Sequence, residues 1–256
     1  MPHGLNWSGH RAENYRRIAS DLPLTPQIIM ATIQRLDISA VILAGGRSRR
    51  MAGTEKALLE VEGTSLLGRT IAALRPQVTS LVISTGSRLV QSAAGDLPTV
   101  ADPLPGFLGP LAGILSGLDW TRDHAPQCRW LISVPVDAPM FPADLVSRLV
   151  TALETEGADL ACAASGGRRH PVFGLWPLAL ADELRRAVTE EGVRKVDHWT
   201  SRHRLAVAAW PGQHLDPFHP DPFHNVNTPE DLDLLRMALI RAGRAGEESS
   251  RSVNPL

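Results

Sequence analysis

The amino-acid sequence predicts a single doubly wound α/β domain built on a mostly parallel sheet, spanning residues 38–242. Three observations predict it. Short apolar runs without helical spacing recur at 41–43, 80–85, 97–101 and 130–136, as expected of strands buried on both faces of a parallel sheet. Stretches with apolar residues at helical spacing alternate with them. Three of the runs end on residues suited to a ligand, with Gly45 and Gly46 after the first and Asp102 and Asp137 after two others. In such sheets ligands lie outside the carboxyl ends of the strands.

Residues 1–37 carry Trp7, several charges, Pro23 and Pro26 without a sustained period, and read as a disordered extension with a short helix at 13–20. They contain no signal-peptide core, no small-residue cleavage site and no span long enough for a membrane. Met30, eight residues before the first strand, is an alternative start. The stretch I-S-A-V-I-L-A-G-G-R-S-R-R-M-A-G-T-E-K-A-L-L from Ile38 then reads as a strand entering a glycine- and arginine-rich loop. Gly45 and Gly46 have no Cβ, so a ligand can lie against the backbone and meet the N–H groups of the turn. Arg47, Arg49, Arg50 and Lys56 follow within the next ten residues and favour an anion, a polyphosphate above all. The spacing is not that of a Walker A loop, because Lys56 lies three residues beyond Gly53 and precedes Ala57. Nor does a G-x-G-x-x-G dinucleotide fingerprint occur here.

Further along, Leu66, Leu67, Thr70, Ile71, Ala73 and Leu74 give an amphipathic helix that stops at Pro76. The runs at 80–85 and 97–101 are strands, read with no helix between them. Asp102 opens D-P-L-P-G-F-L-G-P-L-A-G-I-L-S-G-L, a loop entering a helix at Pro110 whose N-terminus can face an anion. A strand at 130–136, broken late by Pro135, delivers Asp137, and Pro139 and Pro142 hand over to a helix at 143–153 with Asp144 near its positive end. A strand at 159–164, a polar turn from Ser165 to His170, a strand at 171–176, helices at 178–188 and 193–200 and a strand at 205–210 follow. The closing helix at 229–241 is capped by Thr228, with Glu230 and Asp231 in its first turn. From Gly243 the charged, serine-rich tail reads as disordered.

With 26 Lys and Arg against 27 Asp and Glu, the net charge of −1 gives no bulk attraction for nucleic acid or an anionic membrane, so local charge carries the function. Cys128 and Cys162 lie in or beside apolar runs without metal spacing, which predicts buried thiols in a cytoplasmic protein. Lysine occurs only at Lys56 and Lys195, so the one in the glycine loop stands out. The repeat D-P-F-H-P-D-P-F-H from Asp216 to His224 spaces His214, His219 and His224 evenly, but five-residue steps in a proline-rich segment match no metal-ligand pattern. It reads as a flap beside the site.

The first loop resembles the L-A-G-G-x-S-x-R-M-G-x-x-K signature of nucleotidyltransferases that build activated sugars and dinucleotide cofactors. Followed in order by D-P-L-P-G-F-x-G-P-L-A-G-I, V-P-V-D-A-P-M, R-x-H-P-V-F-G-L-W and H-N-V-N-T-P-E-D-L, it makes the chain similar to the molybdenum cofactor guanylyltransferase family from about Ile38 to Leu235. The resemblance implies a Rossmann-like nucleotidyltransferase fold and transfer of GMP from GTP to the phosphate of molybdopterin, with Mg²⁺ and release of pyrophosphate. It implies Leu43, Ala44, Gly45, Gly46, Lys56, Ser84, Asp102 and Asp137 around the nucleotide, and Asp137 as the metal ligand. Lys56, Asp137 and Arg50 would be the catalytic groups, and Arg168, Arg169, His170, Asn225 and Asn227 would face the acceptor. Implied partners are GTP, molybdopterin and the proteins that mature molybdoenzymes.

These residue types suit the chemistry. A phosphate attacking the α-phosphorus of GTP is one anion meeting another, so the enzyme must align them and neutralise charge. Mg²⁺ takes one or two carboxylates beside phosphate oxygens, as Asp137 would provide, while cations on the loop suit the leaving pyrophosphate. The chain departs from the family pattern at Ala52, where Gly is usual, at Glu55 for Asp and at Ser84 for Asn. The Gly45–Gly46 pair, where CTP-using relatives tend to carry Ala-Gly, points to guanine. Beside this reading stand a CTP-using enzyme on the same acceptor, a nucleotidyltransferase for another phosphorylated small molecule, and a nucleotide-binding partner protein without turnover.

Overall fold

The structure, a computed structural model, describes residues 37–45, 55–102, 109–211 and 221–252, with side chains described as far as 241. The extension expected at 1–37, except Asp37, lies outside the described residues, as do Gly46, Arg47, Arg49, Arg50, Ala52, His214 and His219.

Nine strands are described: β1 (Ile38–Leu43), β2 (Glu60–Val61), β3 (Thr64–Ser65), β4 (Ser80–Ser84), β5 (Thr99–Val100), β6 (Trp130–Pro135), β7 (Leu160–Ser165), β8 (Arg168–Pro177) and β9 (Leu205–Trp210). The described helices are α1 (Leu66–Leu74), α2 (Arg88–Ala93), α3 (Pro110–His124), α4 (Leu145–Glu156), α5 (Ala181–Thr189), α6 (Val196–Thr200) and α7 (Pro229–Ser252). Seven strands form one sheet in the order β5-β4-β1-β6-β8-β7-β9, and β2 pairs with β3 in a separate hairpin. The sheet is mostly parallel as expected; only β8 runs against its neighbours β6 and β7.

The chain steps outward from β1 to β4 and β5, then returns to the other side of β1 with β6. That reversal opens a crevice at the carboxyl ends of the strands. Leu43 pairs with Ser84 on one side and Pro135 on the other, and Ser84 with Val100, so Pro135, Leu43, Ser84 and Val100 form one row along this edge. Asp137 and Asp102 each emerge two residues beyond that row.

Several details differ from expectation, each for a local reason. Helix α2 interrupts the two strands read as consecutive; it buries only Val90 and is begun by Ser87, whose Oγ accepts from Val90 N at 3.5 Å. One buried residue leaves no periodicity to read. The β2–β3 hairpin turns on Glu62 and Gly63, both at positive φ (49° and 68°), the geometry of a type I′ turn. The same device at Gly166 and Gly167 (φ 54° and 77°) closes the β7–β8 hairpin early, so Arg168, Arg169 and His170 belong to β8 and not to a turn. Helix α7 continues to Ser252, through the segment expected to be disordered from Gly243. Asp144, by contrast, stands as expected at the positive end of α4, as its N-cap residue, with Oδ1 accepting from Trp210 Nε1 at 3.1 Å.

Helix α3 is buried nearly all round, with Leu111, Ile114, Leu115 and Leu118 in the core beside Val41, Val82 and Trp176. Its approach to the sheet depends on two glycines. A Cβ on Gly113 would stand 2.7 Å from Leu43 Cδ2, and one on Gly117 would stand 2.7 Å from Val41 Cβ. Both cysteines are buried thiols outside any disulfide, and burial pushes the Cys128 thiol above its ordinary value and that of Cys162 up to about 11, so neither is a reactive thiolate.

Gly117→Ala tests this packing. Helix propensity alone would favour the alanine by about 1 kcal/mol. Overpacking against a β-branched residue on a central strand should outweigh that at about 3 kcal/mol. A net loss of about 2 kcal/mol in a urea titration is expected.

Candidate active site

Three segments meet at the carboxyl edge of β1 and β6. The glycine loop ends in a short 3₁₀ turn, Lys56–Leu58, which brings Lys56 back to the edge. There Lys56 Nζ donates to Asp137 Oδ2 at 2.9 Å and to Asn227 Oδ1 at 2.8 Å. The Lys56 and Asp137 side chains are 16 % and 22 % exposed, so the pair is shielded from solvent yet open on one side. An ammonium has three N–H donors; among the described residues two are used, leaving one for a ligand.

The backbone fixes Asp137 from both directions. Val136 N donates to Leu43 O at 3.1 Å, and Val226 N donates to Asp137 O at 2.7 Å. Asn227 is held by the start of α7. Thr228 Oγ1 accepts from Asp231 N at 3.2 Å, while Asp231 Oδ2 accepts from Asn227 N at 2.8 Å and Thr228 N at 2.9 Å. This is a reciprocal cap with Asp in place of Glu. Burial would raise the Asp231 carboxyl, but hydrogen bonds from His224, Asn227 and Thr228 hold it below the usual carboxylate range. Thr228 is the cap expected from the sequence, and Asp231, three residues on, also clamps Asn227, a role signalled only by that spacing.

Across the edge, Leu43 is half-buried, Ala44 buried and Gly45 exposed. Ala44 N donates to Ser84 O at 2.9 Å and Thr85 N to Val100 O at 2.8 Å, extending the parallel ladder to the loop. Among the described residues, a Cβ on Gly45 would meet only Ser84 O, at 3.9 Å. Ser84 is buried, and its hydroxyl donates to Asp102 Oδ1 at 3.5 Å. Burial pushes the Asp102 carboxyl up, and the Ser84 hydrogen bond only partly offsets it. Among the sequence-predicted nucleotide residues, the structure thus brings Lys56 and Asp137 together at one end and Ser84 and Asp102 together at the other. Gly46 and Arg50 lie outside the described residues.

The predicted acceptor residues divide. Asn227 joins Lys56, and Asn225, exposed beside it, accepts from Asn227 Nδ2 through its backbone oxygen at 3.4 Å. Arg168 and Arg169 are exposed at the start of β8, beside His170. Pairing of β8 with β7 slips here: His170 faces Ala163 but Gly174 faces Cys162, leaving 171–173 as a bulge. Pro171 within a central strand was the signal for it. His170 stacks on Phe223, with centroids 5.0 Å apart, and Phe223 packs edge-on against Phe173 and Trp210. Among the described residues no three His, Cys, Asp or Glu converge. No helix among the described residues is long and apolar enough to cross a membrane.

Known proteins share this arrangement of sequence and fold. Residues 40–214 match the MobA-like NTP transferase domain. The molybdenum cofactor guanylyltransferase of Rhodopseudomonas palustris (strain BisB5) is 47% identical over 205 residues, covering 80% of this chain and 95% of the relative. That of Nitrobacter hamburgensis is 42% identical over 213 residues, covering 83% of this chain and 100% of the relative. Among solved structures, molybdopterin-guanine dinucleotide biosynthesis protein A from Archaeoglobus fulgidus superposes with a TM-score of 0.59 at 24% identity, over 80% of this chain and 99% of that one. The nearly full-length match to the curated relatives, with Lys56, Asp137 and Asn227 meeting at one sheet edge, places this chain in the molybdenum cofactor guanylyltransferase family.

Proposed function

We propose that this protein transfers GMP from GTP to the phosphate of molybdopterin and releases pyrophosphate. The observation that carries the reading is the Lys56–Asp137–Asn227 cluster at the carboxyl edge of β1 and β6, with exposed Gly45 on the same edge. The base and ribose lie toward Ser84 and Asp102, and the triphosphate runs toward Lys56. The acceptor phosphate enters from the side of Arg168 and Arg169.

The Asp137 carboxylate suits Mg²⁺, which takes one or two protein carboxylates and keeps water and phosphate oxygens as most of its ligands. When bound, the ion withdraws charge from the α-phosphate and so eases attack by a second phosphate. The protein's own groups align and neutralise. Lys56 would meet the β- and γ-oxygens with the N–H left over among the described residues, and Asp137 would be the residue that holds the metal. Asn227 keeps the lysine near the crevice. The bond from Val136 N to Leu43 O and that from Val226 N to Asp137 O hold the Asp137 backbone at the sheet edge, so alignment is set before substrates arrive.

Asp137→Asn preserves shape and removes the charge on which metal binding depends. It should lower kcat by about 10³-fold, worth roughly 4 kcal/mol, while leaving the melting temperature nearly unchanged. Near-normal turnover at saturating Mg²⁺ would remove Asp137 from the metal site.

Guanine presents two N–H donors beside O6, whereas cytosine presents one donor and two acceptors. A site paired to one leaves about two groups unpaired with the other, at roughly 1–3 kcal/mol each. GTP should therefore exceed CTP by about 10²-fold in kcat/KM when the two compete in one assay. Equal incorporation would favour the cytidylyl alternative and leave the phosphoryl geometry standing.

A further inference from the structure

Residues 221–227 form a strap between the two halves of the site. At one end Val226 and Asn227 hold Asp137 and Lys56. At the other, Asp221 and Phe223 dock on the β7–β8 hairpin. The docking is polar at its centre: Ser165 Oγ lies 2.6 Å from Asp221 Oδ2 and 2.7 Å from His170 Nε2, while Asp221 Oδ1 accepts from Phe223 N at 2.9 Å.

A serine hydroxyl has one proton to give. The carboxylate accepts it at 2.6 Å, a charge-assisted distance. Toward His170 the same oxygen must then act as acceptor, so Nε2 carries a proton. Burial favours the neutral ring; the Asp221 charge opposes this and the Arg168 charge adds to it. A neutral ring protonated on Nε2 has Nδ1 as an acceptor, and Nδ1 has no hydrogen-bond partner among the described residues. The ring is still 12 % exposed, and stacking on Phe223 fixes its plane.

We propose that Asp221 and Ser165 are positioning residues that lock His170 as its Nε2–H tautomer, so that Nδ1 accepts a hydrogen bond from a ring N–H or amino group of the acceptor substrate. The inference rests on the guanylyltransferase reading above for the identity of that substrate. It divides the recognition by chemistry: Arg168 and Arg169 suit a phosphate, whereas a neutral His170 reads a nitrogen donor on the heterocycle.

Asp221→Asn tests the relay at nearly constant shape. Its amide oxygen is retained by Phe223 N, so its NH₂ group faces Ser165. The serine then turns its proton to His170 Nε2, and the ring must take the Nδ1–H form. Nitrogen-15 NMR of histidine-labelled protein, with the His170 signals assigned by their loss in His170→Gln, should show Nε2–H in the unaltered protein and Nδ1–H in Asp221→Asn. In steady state the variant should raise the KM for molybdopterin about tenfold, the loss of one hydrogen bond, with kcat and the KM for GTP within about twofold. An Nδ1–H ring in the unaltered protein overturns the proposal, as does an Asp221→Asn variant whose tautomer and acceptor KM are both unchanged. Absence of GMP transfer by the unaltered protein would instead overturn the guanylyltransferase reading, while the NMR measurement, made without substrate, still decides the relay.

Discussion

The contact on which the site depends is the short ion pair from Lys56 to Asp137, closed by Asn227. It joins three distant parts of the sequence: the loop after β1, the end of β6 and the segment before α7. A lysine that kept both partners in the ground state would be a purely structural bridge. Its partial exposure, and the N–H left over among the described residues, give it another option when a polyphosphate arrives, because phosphate oxygens compete for the same ammonium. The backbone at Asp137 is anchored, with Val136 N donating to Leu43 O and Val226 N to Asp137 O, so the carboxylate is delivered to a fixed place while the longer lysine side chain has more freedom to change partners.

The sheet makes that fixity possible. The central strands β1, β4 and β6 are buried, and helix α3 lies close against them because Gly113 and Gly117 have no side chain. Close packing of this kind transmits small errors, so a methylene in the wrong place near Leu43 or Ser84 would be felt at the edge where the ligand lies. The residues of the strands themselves do no chemistry. They hold Asp102, Asp137 and the start of the glycine loop at Gly45 along one sheet edge.

Much of this was legible in the sequence because the strands are buried on both faces and so read as continuous apolar runs, and because Asp102 and Asp137 directly follow two of them. Lys56 stood out as one of two lysines in the chain. Its partnership with Asn227 did not, since 171 residues separate them and nothing local encodes the meeting. Helix α2 and the β2–β3 hairpin were missed because each buries too little to leave a period. The bulge at 171–173 was missed although Pro171 announced it, and with it went the relay from Asp221 through Ser165 to His170. That relay depends on a side chain from a proline-rich repeat folding back on a hairpin, a contact with no sequence signature.

The most direct test of the central claim is a crystal structure of the protein with GTP and Mn²⁺, used for its anomalous signal. The account predicts an anomalous peak within coordination distance of Asp137 Oδ2, with Lys56 Nζ turned from the carboxylate to a phosphate oxygen and Asn227 still close to it. A peak elsewhere, with the Lys56–Asp137 pair intact beside bound nucleotide, would contradict it.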